Sequence, residues 1–330
     1  MSEAPQSGSG SGASVAYSGA WRRLGAFCID GLVLGIIGLA LGAAAFARLA
    51  ELGPWGRLLG FVIAVAYFGI LESRIGGGRT PGKRLLGIRV VDHSGRGLSL
   101  AQALLRSTIF FIPYFLNGLM LGSDGMIPWV AMILSILVFG LGFSILYLLL
   151  FNLPTRQSVH DLATGAFVVK APAPVPLPAP LRRVHKIVIA VAFALSLVLP
   201  LGGLWLASRI TSLAPLLRAG RTLDAQSHVV SASVNEGASW SSFNGGAMHK
   251  TTMLNASVVV RRWPADPKAE AASFASTLFQ DIPDAATRDI VSVQLVYGYD
   301  IGIARAWRST DYSYTPAAWM GLESPRTTMH

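Results

Sequence analysis

Two sets of residues in this sequence have the types and spacing to do chemistry. The stretch GGGRTPGKRLLGIRVVD at 76–92 places Gly77, Gly82 and Lys83 at the G-x-x-x-x-G-K spacing of a phosphate-binding loop. Such a loop needs a strand before it, Ser or Thr after the Lys to meet Mg²⁺, and a helix whose first N–H groups face the phosphate. Here an apolar segment precedes it, Arg84 occupies the Ser/Thr position and Pro81 removes a backbone N–H. The spacing therefore reads as a tight interfacial turn and not as a nucleotide site. The second set is the charged residues in and beside apolar segments: Arg23, Asp30, Glu72, Arg106, His160 and Asp161. An Asp at the centre of a spanning helix costs about 2.5–3.5 kcal/mol, so such a carboxylate should be shallow and have a partner. Arg23 lies two turns back from Asp30, about 10.5 Å along a helix axis and on the same face. Arg106, at the mouth of a later apolar segment, is the other named partner. The arrangement reads either as an ion pair that fixes helix packing or as a proton or cation site. Glu72 is expected to snorkel into the interface. His160 and Asp161 together could move protons. Adjacent residues on a helix do not face each other, however, so capping or pairing with the basic loop is the expectation there.

These side chains must be held by apolar elements. Of the 330 residues 52% are hydrophobic and 13% charged, and mean hydropathy is +0.51; soluble domains carry about 25% charged residues. About 20 apolar residues cross a bilayer. Segments near 24–47, 55–73, 107–122, 127–151 and 184–208 meet or approach that length, and Pro113 and Asn117 interrupt the third. The first is too long for a signal-peptide core of about 7–15 residues. Residues 1–19 are Ser/Gly/Ala-rich and read as a disordered tail, and 171–183 is an extended Pro/Ala linker. Up to residue 206 there are 16 Lys/Arg against 7 Asp/Glu, and from 209 onward 11 against 10. The positive excess travels with the apolar half, which points to loops beside a membrane and away from nucleic acid. Basic residues concentrate before the first segment, between the second and third and between the fourth and fifth, so these loops are expected inside. That puts the N-terminus in the cytoplasm and, with five spans, residues 209–330 outside. Arg79, Lys83, Arg84 and Arg89 are expected to rest on anionic headgroups, each contributing about 1 kcal/mol.

The C-terminal region changes character. TTMLNASVVVRRW reads as a strand, and Asp266 before Pro267 opens a helix with Ala271, Phe274, Leu278 and Ile282 at helical spacing. RDIVSVQLVYGYDIGIARAW reads as two strands around 298–300. The expected fold class is an α-helical multi-spanning membrane domain plus a small extracytoplasmic α+β domain. The latter must fold without disulfides, because Cys28 is the single cysteine. Trp307, Tyr312, Tyr314 and Trp319 either pack the strands or line a ligand groove. No H-E-x-x-H, C-x-x-C or G-x-S-x-G pattern is present and His249 is isolated, so no metal, cofactor or enzyme activity is expected.

Three blocks in order, Arg23 with AFCID ending at Asp30, then GGRTPGKRLLGIRVVDHSGRGLSLAQALLR, then RQSVHDLATGAFVVK, resemble the RDD family of bacterial membrane proteins over roughly residues 18–170. The family is named for one Arg and two Asp, which Arg23, Asp30 and Asp161 match. The resemblance implies a multi-spanning membrane domain, with transport of a solute or cation suggested. It does not reach 171–330. A carrier using Asp30, Arg23 and Asp161 is one expected function. A membrane-anchored sensor or interaction protein, whose region 209–330 binds a partner, is the other.

Overall fold

The computed structural model describes residues 17–118, 128–153, 155–171, 180–209, 213–241 and 248–323. Much of the tail and the linker, and the end of the third expected span, lie outside these residues. Among them, three stretches of helix are long and apolar enough to cross a membrane: 20–72, Trp129–Phe151 and Arg183–Gly203, with Leu100–Leu116 shorter. The chain divides into two compact units, and α1 (Ala20–Leu52), α2 (Gly56–Glu72), α4 (Leu100–Leu116) and α8 (Arg183–Arg209) each give residues to both. α4 begins seven residues before the expected third span and continues through Pro113.

The first unit comprises the described parts of 1–33, 64–112 and 141–192. After α2 the chain makes the short α3 (Pro81–Leu85) and β1 (Ile88–Val91). After α6 (Leu141–Phe151) it makes α7 (Val159–Thr164) and β2 (Phe167–Lys170). The strands pair antiparallel from Ile88↔Lys170 to Val91↔Phe167. Alternation puts Ile88, Val90 and Val168 on one face, packed with Ala26, Leu98, Ala103 and Ala166. Val91, Phe167 and Val169 pack with Tyr17 on the other. The end of the expected disordered tail is thus ordered: Tyr17 bridges Val169 and Ser18 N–H donates to Val168 O at 2.9 Å. The turn after β1 is closed by Asp92, whose Oδ1 accepts from Ser94 N, Ser94 Oγ and Arg96 N at 2.6–2.9 Å.

The second unit comprises the described parts of 34–63, 113–140 and 193–330. α5 (Pro128–Ser135) passes through a π-helical turn at Ile136–Gly140. Pro200 inside α8 has no N–H for the carbonyl of Ser196, four residues back. Ser135 Oγ donates to that carbonyl at 2.6 Å, so the orphaned acceptor is satisfied by a neighbouring helix. Beyond α8 come α9 (Leu213–Asp224), β3 (Val229–Ser241), β4 (His249–Val260), α10 (Pro267–Asp281), β5 (Ile290–Asp300), β6 (Arg305–Tyr314) and α11 (Pro316–Glu323). The sheet order is β3-β4-β5-β6, antiparallel except for the parallel pair β4–β5 that α10 connects. Leu254, Ala256, Val258, Val291, Val293 and Leu295 bury one face against Leu216 and Leu223 of α9 and Phe274 and Leu278 of α10. The turn between the last two strands falls at 301–304, later than expected. β3 and α9 had no expectation at all: β3 is rich in Ser, Gly and Ala, and α9 is an amphipathic piece next to a long apolar run.

Candidate functional site

Among the ionisable groups that the first unit buries, each at most 9% exposed, are Arg23, Asp30, Glu72, Lys83, Arg106, His160 and Asp161. Arg23 stands in the first turn of α1 and Arg106 in the second turn of α4. Asp161 sits in the first turn of α7, where its Oδ2 accepts from Ser158 N–H at 3.2 Å and so caps the helix. Arg106 grips Asp161 Oδ1 with Nε at 2.9 Å and a terminal nitrogen at 2.7 Å. Its other terminal nitrogen meets Glu72. Lys83 meets the second oxygen of Glu72. Arg23 bonds Asp161 Oδ2 at 3.2 Å and the carbonyls of Arg156, Thr155 and Val168 at 2.8–3.3 Å. Glu72 is therefore fully buried between two cations and does not snorkel. Lys83 is equally far from the headgroup role expected of it: its stem is buried, and its ammonium lies 5.4 Å from the Phe68 ring centre. Arg84 is exposed, and Arg79 and Arg89 are partly exposed.

Asp30 has neither of its expected partners. Its carboxylate accepts from Tyr67 Oη at 3.0 Å, Thr80 Oγ1 at 2.5 Å and Gly82 N–H at 2.9 Å. Arg23 shares its helix face, yet its guanidinium is spent on Asp161 and the carbonyls around it. The partners that were missed had a signal: Thr before Pro is an N-cap followed by Pro at the first helical position. Thr80 caps α3 by accepting from Lys83 N–H, and its own hydroxyl proton goes to Asp30. This geometry also disposes of the phosphate reading. The N-terminus of α3 does hold an anion, but the anion is the carboxylate of Asp30. The approach requires glycine at 82, where a Cβ would overlap the carbonyl of Ala26 and stand 3.0 Å from the Asp30 carboxyl carbon.

The electrostatics follow from burial and pairing. Burial alone would raise the Asp161 carboxyl, but Arg106, His160 and Arg23 outweigh it and hold its pKa well below the usual range. Burial lowers the Lys83 ammonium despite Glu72. It also pulls His160 down to about 4, with Arg106 and Arg23 opposing its protonation and Asp161 favouring it. His160 is thus a neutral ring at physiological pH, stacked edge-on against Phe110 at 5.0 Å. Its Nε2 does approach its sequence neighbour Asp161, at 3.5 Å.

Apolar helices that close around three cations and three carboxylates define a membrane protein with an internally balanced polar centre. Residues 17–165 of the chain match the model of the RDD family. No curated protein and no solved structure matches the chain.

Proposed function

We propose that the chain is a multi-pass inner-membrane protein whose RDD domain is a rigid anchor and whose C-terminal α+β domain, outside the cytoplasm, binds a partner or ligand. One observation carries the reading. Every carboxylate of the buried centre is matched within it, Glu72 by Lys83 and Arg106, Asp161 by Arg23 and Arg106, and Asp30 by three donors. A carrier needs a site that exchanges its charge, whereas a network in which every carboxylate is paired serves helix registry. The basic loops support an N-terminus inside. Alternate helix ends support several crossings. The start of α1, the end of α2 and the start of α4 meet at the ion network. The start of α2 and the end of α4 meet in the second unit, where Arg57 Nε donates to Phe115 O at 2.9 Å and another of its nitrogens meets Asp300 at 2.8 Å. On this reading Arg79, Arg84 and Arg89 face anionic lipid headgroups, and no reaction is assigned to the chain.

A reporter fused after residue 330 tests the topology: an enzyme active only outside the cytoplasm should work there, and one active only inside should not. Deleting 210–330 should abolish function while the RDD domain still accumulates. Among the described residues no cation bonds Asp30, which favours a second reading, transport of a small cation or solute through that carboxylate. In it, Asp30→Asn stops flux at normal abundance; in the anchor reading the same change lowers abundance and no flux depends on it.

A further inference from the structure

The helices α9 and α10 cover one face of the C-terminal sheet. The opposite face is not uniform. Over most of its length it is polar, with Asn235, Asn255, Gln294 and Asp311 supplied by the four strands in turn. At one end it turns apolar. Val230, Val259, Val296 and Trp307, again one from each strand, line a cleft of about 850 Å³, within the range of small-molecule sites. The facing wall is the turn between α1 and α2, at Gly53 and Pro54, and the end of α4, at Tyr114 and Asn117. The walls meet at Gly53, where a Cβ would stand 3.1 Å from Val230 Cγ1. The apolar end of the sheet is thus set against the ends of apolar helices, the depth at which a spanning helix leaves the bilayer.

Of the described residues that line this cleft, three are charged: Arg57, Asp300 and Arg305. Arg57 spends its donors on Asp300, Tyr114 O and Phe115 O, and Asp300 also accepts from Gly302 N–H at 2.7 Å. Neither has charge left for a ligand. Arg305 is exposed, and its guanidinium makes no hydrogen bond or ion pair among the described residues. Two of the hydroxyls at the cleft are already engaged: Tyr114 Oη donates to Gly302 O at 2.7 Å and Ser257 Oγ to Gln294 at 3.1 Å. What the cleft offers a ligand is an apolar row, one half-exposed indole and one uncompensated cation.

A second groove, of about 510 Å³, is almost wholly apolar. It is lined by Leu134, Val138 and Phe139 of α5 and its π-helical turn and by Leu199 and Pro200 of α8. These residues belong to the stretches 129–151 and 183–203 that are long and apolar enough to cross a membrane. Asn117 and Gly118 line both spaces, so cleft and groove join at the end of α4.

A polyanion would find a single cation here, and a polar solute would meet valines. A ligand with one anion and a long apolar part matches both compartments. A guanidinium takes one phosphate in a fork of two hydrogen bonds, and an indole suits a boundary that is apolar on one side and wet on the other. We propose that the cleft and groove hold one anionic phospholipid drawn from the bilayer, its phosphate on Arg305 and its acyl part along the valine row and Trp307 toward α5 and α8. This deepens the reading of the C-terminal domain as the binding part of the chain and rests on it.

The test uses full-length protein in an uncharged detergent, titrated calorimetrically with dioctanoyl phosphatidylglycerol and with dioctanoyl phosphatidylcholine. The two share their chains, and the choline cation cancels the phosphate in the second. One equivalent of the phosphatidylglycerol should bind about fivefold or more tightly than the phosphatidylcholine, the effect of one Arg on an anionic headgroup. Arg305→Gln should bring the two within about twofold. Dihexanoyl phosphatidylglycerol should bind at least about tenfold more weakly than the dioctanoyl lipid, because it buries fewer methylenes. Trp307→Ala should weaken both dioctanoyl lipids, and Trp307→Phe should restore part of the loss. Arg305 is exposed and makes no contact that folding depends on, so its substitution decides the question even where a Trp307 variant fails to fold. No binding of either lipid overturns the proposal, as does a preference for phosphatidylglycerol that survives Arg305→Gln. Equal affinity for short and long chains, or displacement of the lipid by an equal concentration of glycerol 3-phosphate, also overturns it, since the site would then take a free phosphate and not a lipid. None of these failures touches the anchor reading, which stands or falls on the reporter fusion and the deletion.

Discussion

Replacing Asp161 with Asn separates a structural centre from an exchangeable one. The carboxylate accepts two bonds from Arg106, one from Arg23 and one from the N–H of Ser158, and it is wholly buried. Asn keeps the shape but turns an NH₂ toward donors and leaves three cations facing Glu72 and Asp30. Removing one partner of a buried pair costs about 3–5 kcal/mol, a large part of a total stability of about 5–15 kcal/mol. The expected loss is roughly 10²–10⁴ in the folding equilibrium. Asp30→Asn is the internal comparison: an amide oxygen still accepts from two of its three donors, so the loss is about 1–3 kcal/mol. Thermal unfolding of the purified full-length protein in detergent, followed by loss of its monodisperse elution peak, should rank wild type above Asp30→Asn and that above Asp161→Asn. Adding Arg106→Gln to Asp161→Asn should cost less than the sum of the two single changes, since the pair is directly bonded. If Asp161→Asn melts with the wild type, or above Asp30→Asn, the network does not hold the helices and the reasoning fails.

His160 should make stability fall with acid. Its folded pKa of about 4 lies below the usual 6.5, so the unfolded chain takes up the proton first. The stability is complete above pH 6.5 and is lost toward pH 4, by at most roughly 1.4 kcal/mol per pH unit; His160→Gln should flatten that part of a melting-temperature profile. Gly82→Ala should reduce folded protein sharply, because its methyl would overlap the carbonyl of Ala26, and an unchanged yield on size-exclusion would refute the close packing of α3 on α1. Ser135→Ala should cost about 0.6–1.7 kcal/mol, the scale of interhelical hydrogen bonds in membranes, read as a lower melting temperature, and no change would mean that the Ser196 carbonyl finds another donor. A cysteine at Ser94 should stay unlabelled by an impermeant thiol reagent in intact cells, and labelling there would invert the topology.

Local patterns decided a good deal of this protein. Length and hydropathy marked the helices at 20–72, 129–151 and 183–203, since a bilayer demands a run of apolar residues that nothing else in a sequence imitates. Asp266 before Pro267 opened α10, where Asp266 Oδ1 accepts from Lys268 and Ala269 N–H at 3.0 Å, because capping is settled within four residues. The RDD blocks marked Arg23, Asp30 and Asp161 as residues of interest. What they bond to was not legible. Helical periodicity puts Arg23 and Asp30 on one face, but a face is shared by every element that packs on it, and their partners arrive from 37 to 145 positions away. Whether Lys83 meets lipid or Glu72 depends on α3 folding back against α2, which no local propensity encodes. The aromatic set divided for the same reason. Trp319 is buried at 1% with its N–H on Val291 O, while Trp307 is half exposed over Gly298. Sequence determines which residues can carry charge, cap a helix or cross a membrane, because those properties are local. Which charge meets which is decided by tertiary packing, because an ion pair buried at low dielectric forms only where distant segments of the chain are brought together.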